Sequence, residues 1–123
     1  MSSISFRIPF PPSANTMWRR NGHRIHPTPK GWQFRADVSE DIDRQLIAWE
    51  PIADRVAISI ELTPPTRRKC DIDNYVKSTL DAICKAGLLL DDEQIDMLVV
   101  KRLPVESPGC CDVTITPITA ADA

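Results

Sequence analysis

Apolar and polar residues alternate at the start of the chain, where Ile4, Phe6 and Ile8 are separated by Ser5 and Arg7. This period of two is that of a half-buried strand, and the prolines at 9, 11 and 12 end it. From Pro11 to Thr28 no period holds, and the segment reads as a long structured loop of aromatic, basic and turn-forming residues. Thr28 followed by Pro29 is a helix start, threonine as N-cap and proline in the first turn. Phe34, Val38, Ile42, Leu46 and Trp49 then recur at spacings of four, four, four and three, one apolar stripe on a helix predicted to run to about Ala48. Its other faces carry Asp37, Glu40, Asp41, Asp43 and Arg44, which solvation explains, and Pro51 lies beyond its end.

The alternation returns at Val56, Ile58, Ile60 and Leu62, a second strand that feeds the loop TPPTRRKC. A second helix is predicted from about Asp73 to Ala86, burying Val76, Leu80, Ile83 and Cys84, with Gly87 as its stop. Leu88, Leu89 and Leu90 read as a buried segment. Met97, Val99 and their neighbours predict a third strand ending at Pro104, and the turn ESPG leads to a fourth from Cys111 to Thr116. These last two are expected to pair as an antiparallel hairpin. The tail ITAADA reads as frayed. The expected fold is α/β (α+β): a single domain over residues 1–123, with a small mixed sheet of about four strands and two main helices.

Composition narrows the function. Hydrophobic residues make up 42% and charged residues 26%, as in ordinary globular chains, and no apolar run approaches the roughly 20 residues of a membrane span. The N-terminus lacks a signal-peptide core, so the expected compartment is the cytoplasm and no membrane partner is expected. Cys70, Cys84, Cys110 and Cys111 show no C-x-x-C spacing and are read as free thiols, while His23 and His26 lie too far off in sequence to complete a zinc site with them. Four glycines leave no G-x-G-x-x-G or G-x-x-x-x-G-K-[ST] motif, and there is no G-x-S-x-G. Net charge is −2, but the first 36 residues carry six basic side chains and no acid, so the remainder sums to −8. A basic arm beside an acidic pocket suits a metal-dependent nuclease, the arm drawing phosphates and the acids holding cations. Asn15, Arg19, Arg20 and Arg24 are the arm's candidate DNA contacts.

The chemistry concentrates between Arg67 and Asp92. Asp71 and Asp73 lie two apart, where extended backbone turns both side chains the same way. The plain alternative is that one caps the following helix and the other faces its positive end. Lys77 falls one turn beyond Asp73, able to steer water or phosphate or to form an i,i+4 ion pair with Asp73. After Gly87 the chain can fold back and return Asp91 or Asp92 toward the first pair. Two unit charges about 4 Å apart repel by roughly 4 kcal/mol at an effective dielectric near 20, so three converging carboxylates demand a cation or raised pKa values. Carboxylate oxygens without nearby His or Cys select magnesium, with manganese as a substitute. Arg67, Arg68 and Lys69 are the natural phosphate clamp.

The segments PFPPSANTMWRRNGHR and RRKCDIDNYVKSTLDAICKAGLLLDDEQI resemble those of the RusA-type Holliday-junction resolvases of phages and prophages. The resemblance covers most of the chain, and its second block is the more specific. It implies a homodimeric, magnesium-dependent endonuclease that nicks two opposed strands of a four-way DNA junction, with a preference for cutting 5′ of a CC dinucleotide. On it, the metal-binding aspartates fall on Asp71, Asp73 and Asp92 and the essential lysine on Lys77, with Asp91 a neighbour of lesser role. Net acidity departs from a junction binder's expected basic balance and confines the DNA surface to patches. Two other readings stand beside it: a branched-DNA or flap nuclease without junction preference, and an inactive DNA-binding protein of the same fold.

Overall fold

The computed structural model describes residues 3–118, so most of the tail from Ile118 lies outside the described residues. Four strands form the main sheet: β1 (Ile4–Ile8), β4 (Val56–Thr63), β5 (Ile95–Arg102) and β6 (Cys110–Pro117), in the order β1-β6-β4-β5. β4 and β5 run parallel, and β6 is antiparallel to both β1 and β4. Phe6, Ile8, Val56, Ile58, Ile60, Leu62, Cys111, Val113 and Ile115 turn to one face and are buried. The helices α2 (Pro29–Gln45) and α3 (Val76–Lys85) contribute to the same core, α2 through Phe34, Val38 and Ile42 and α3 through Ala82 and Ile83. The alternate residues of the strands stay more polar, with Ser5 bonding Thr114 at 3.1 Å and Arg7 pairing with Asp112 at 2.7 Å.

The expected antiparallel hairpin between the last two strands does not form, because β4 lies between them. The reason is the crossover. A strand, helix and returning strand in one sheet make a parallel pair, so β5 lies beside β4 after α3, and β6 takes the opposite edge of β4. The intervening chain is held by the Leu103 amide donating to the Leu62 carbonyl at 2.8 Å.

A second correction falls on Pro11 to Thr28. Instead of a loop, it holds α1 (Ala14–Met17) and a hairpin of β2 (Trp18–Asn21) and β3 (Arg24–Pro27). The turn is Gly22-His23, directly after Asn21, with Gly22 at φ 66° supplying the left-handed position. One further boundary moves. α2 ends at Gln45 rather than near Ala48, and Gln45 is diverted to the outer edge of β1: its amide accepts from Arg7 N–H at 2.7 Å and donates to Arg7 C=O at 2.6 Å. Thr28 caps α2 as expected, its hydroxyl accepting from the Gly31 amide at 3.1 Å.

Gly31 fixes how closely α1 approaches α2. A Cβ there would lie 2.3 Å from the Met17 carbonyl oxygen, so only glycine lets the hairpin root pack down.

Candidate active site

The segment from Asp71 to Asp92 folds differently from the single helix expected at its start. Ile72–Tyr75 is one turn of 3-10 helix, and α3 begins only at Val76. Asp71 precedes that turn with an extended backbone and makes no capping bond through its side chain. The capping alternative therefore fails for Asp71, leaving an exposed carboxylate. Asp91 is the residue that caps: its carboxylate accepts from the Glu93 amide at 2.9 Å, while its own amide donates to the Gln94 side chain at 2.9 Å.

The chain does fold back after α3. Gly87 turns it at φ 92°, and the Ile52 amide donates to the Leu88 carbonyl at 2.8 Å. Buried Gln94 then donates to the carbonyls of Ile52 and Asp54, both at 2.8 Å, and Arg55 reaches Glu93 at 3.0 Å and Asp96 at 2.6 Å. Arg55 and Gln94 thus clamp the turn bearing Asp92 from both sides. Neither stands out in sequence, because their partners are backbone and side chains some 40 positions away.

A cleft of about 850 Å³ results, reached by Asp73, Lys77, Asp91 and Asp92. Its floor includes Val76, Leu80 and Cys84 of α3, which were expected in the core and instead are half-buried here. Ser78 and Thr79 take the inward positions of α3 in their place. Leu90, expected to be buried with Leu88 and Leu89, is 65% exposed on the cleft rim.

Asp73 and the 91–92 pair share this cleft without converging. Among the described residues, no group of three or more His, Cys, Asp or Glu side chains is close enough to hold a metal ion. Asp73 precedes α3, whereas Asp91 and Asp92 lie close to Cys84 in its last turn. The expected convergence of three carboxylates is not seen among the described residues.

The carboxylates that do meet are Asp91 and Asp92. The bond from the Glu93 amide, then the bond with Asp92, holds Asp91 below the usual carboxylate range. Asp92 is pushed up, first by its bond to Asp91 and then by burial and the neighbouring charge. Burial, with Asp92, Asp91 and Asp81 close by, raises the Cys84 thiol to about 11, so it remains protonated at neutral pH.

Lys77 forms no ion pair among the described residues, Asp73 included. Its ammonium lies instead against Trp18 on the basic hairpin. Asp81 is taken by Arg35, whose guanidinium donates to both carboxylate oxygens at 2.8 and 3.1 Å and ties α2 to α3. Arg35 is thereby removed from the basic arm. Asn15, Arg19, Arg20 and Arg24 are exposed on α1 and the hairpin, and Arg67, Arg68 and Lys69 are exposed on the loop after β4. That loop is fastened by Arg102, which donates to the Cys70 carbonyl at 2.6 Å, immediately before Asp71.

The family model described as Endodeoxyribonuclease RusA matches residues 9–116. This chain belongs to the RusA endodeoxyribonuclease family. Its RusA relatives include the crossover junction endodeoxyribonuclease RusA of Escherichia coli strain K12, 37% identical over 94% of this chain and 96% of that protein. Those of Enterobacteria phage HK97 and phage 82 are 39% and 36% identical, covering 89% and 94% of this chain and 89% and 96% of their own lengths. The matched span contains the hairpin, the arginine-rich loop, both acidic pairs and Lys77.

Proposed function

We propose that this chain is a crossover junction endodeoxyribonuclease that hydrolyses phosphodiesters in two opposed strands of a four-way DNA junction, in the cytoplasm and as a homodimer. The observation that carries the reading is one cleft holding Asp73, Lys77 and the Asp91–Asp92 pair, together with a loop of three cations that form no ion pair among the described residues. The names of the relatives support the substrate.

Magnesium, or manganese in its place, suits the donors: they are hard carboxylate oxygens, and the exposed Asp71 and Asp73 have no histidine near them in sequence. We assign its binding to Asp71, Asp73 and Asp92, a set that does not converge among the described residues of one chain and would be completed across the dimer; once bound it would supply Lewis-acid stabilisation and an activated water. The chain's own part is electrostatic. Arg67, Arg68 and Lys69 take phosphate oxygens and set register, while the Arg19, Arg20 and Arg24 hairpin extends the contact along the arm. Lys77, unneutralised by any carboxylate among the described residues, presents its charge to the phosphate at the cleft.

The exposed edge of the sheet supports the dimer reading. β5 is an edge strand, and Met97, Leu98 and Val99 are 58%, 41% and 51% exposed along it, continuous with Leu90 and the cleft. Such an edge invites pairing. A two-fold interface sets the same patch against itself, so each cleft would gain carboxylates of the partner subunit at its border. Paired symmetric cuts require the same two-fold.

The test is incubation of the purified chain with a synthetic four-way junction and with linear duplex, each with magnesium or EDTA. Paired nicks in the junction alone, only with magnesium, are expected. Equal cutting of flaps and forks would replace junction resolution with general branched-DNA cleavage, and junction binding without any cutting would mark an inactive relative.

A further inference from the structure

A second cavity, of about 340 Å³, opens beside the same loop and shares with the clamp only Arg68 and Lys69. Its walls are the rings of Phe10 and Tyr75, packed with centroids 4.9 Å apart at an interplanar angle of 55°, together with Pro64 and Pro65. Arg68 and Lys69 also line it, and no acidic residue does. The acidic cleft is lined differently, by four aspartates among its polar residues. Position adds to chemistry. Cys70 in its wall precedes Asp71, and Tyr75 lies two residues beyond Asp73, so the cavity adjoins the loop carrying the first acidic pair.

Flat apolar walls with a cationic rim suit a planar heteroaromatic ring attached to a phosphodiester. Aromatic faces accept any base by stacking, while the cations take the flanking phosphates. Bases beside a branch point are among the cheapest to unstack, because their stacking is already interrupted. The volume lies within the range of small-ligand pockets, about 300–1,000 Å³. Resting on the endonuclease reading, we propose that this cavity holds one unstacked nucleobase of the strand being cut, stacked on Phe10 and Tyr75 with Arg68 and Lys69 on its neighbouring phosphates.

An abasic scan tests it. Single abasic residues are placed at successive positions around the branch of a synthetic junction, and affinity is measured in EDTA so that no strand is cut. For the unsubstituted protein, one position is expected to stand out, with binding weakened roughly 5- to 100-fold, the range for a base on an aromatic ring. In Tyr75→Leu the intact junction should already be weaker by a similar factor, and the abasic residue at that position should add nothing. Tyr75→Phe should behave as the unsubstituted protein, and Phe10→Leu repeats the comparison from the other wall should Tyr75→Leu melt early. Uniform loss at every position, or equal sensitivity to the abasic site with and without Tyr75, would overturn the base pocket while leaving the nuclease reading intact. Failure to hold any branched DNA would sink the nuclease reading itself.

Discussion

The Lys77 ammonium sits 5.4 Å from the ring centroid of Trp18, the first residue of the basic hairpin. A cation over an indole face gains about 0.5–2 kcal/mol, so Trp18 orders a long side chain that no carboxylate restrains. The contact also ties the basic hairpin to the acidic cleft. Trp18→Ala is expected to slow junction nicking by about 2- to 30-fold while Trp18→Phe retains most of the rate. Single-turnover cleavage at saturating junction reads this directly, and an unchanged rate in Trp18→Ala would dismiss the ordering role.

The two neighbouring aspartates should separate by substitution. Asp91 caps a turn, which asparagine does about as well, so Asp91→Asn is expected to keep its melting temperature and much of its cutting. Asp92→Asn and Asp73→Asn should abolish magnesium-dependent nicking, by at least about 100-fold, with junction binding retained. Gel shifts and nicking on the same preparations distinguish them. Loss of binding together with cutting in Asp73→Asn would point to a structural role instead.

Chelation should act on chemistry alone. EDTA is expected to stop nicking and leave the complex with the junction intact, and added magnesium or manganese should restore the paired cuts. Manganese binding followed by magnetic resonance gives a second readout, expected to weaken in Asp92→Asn.

Arg55 holds Asp96 below the usual carboxylate range through hydrogen bonds and charge. A lowered folded-state pKa stabilises above the unfolded value and is lost as pH falls through the folded one. Asp96→Asn should therefore melt below the unsubstituted chain at pH 7, and the gap should close below about pH 4. Thermal melts across that window decide it; a constant gap would remove the ion pair from the account.

Gly31→Ala forces a Cβ to within 2.3 Å of the Met17 carbonyl oxygen. Overpacking of this kind costs about 1–3 kcal/mol, so the melting temperature should fall by several degrees. Because Met17 leads directly into Trp18, nicking should fall further than the lost folded fraction explains.

Local chemistry was legible where one stretch of chain decides the outcome. The Ile4 alternation, the Thr28 cap, the Phe34–Val38–Ile42 stripe and the Gly87 stop all appear at their expected places, since each depends on neighbours within a turn or two. The Gly22-His23 hairpin was equally local and was passed over because its strands carry no apolar alternation to announce them. Val76, Leu80 and Cys84 show the opposite limit: their helical spacing marks an apolar face, but spacing is silent on whether another element covers it.

From sequence alone came the four strands of the main sheet and its two main helices, the acidic and basic residue set, and the resemblance that the family match agrees with. Tertiary structure decided which groups meet. It set β5 parallel to β4, gave Asp81 to Arg35 and Lys77 to Trp18, made Asp91 a cap, and spread Asp73 and Asp92 along one cleft rather than around one point. The physical reason is range. Caps, turns and amphipathic stripes are settled by side chains a few residues apart, whereas strand order and charge pairing depend on surfaces brought together only when the whole sheet closes against its helices.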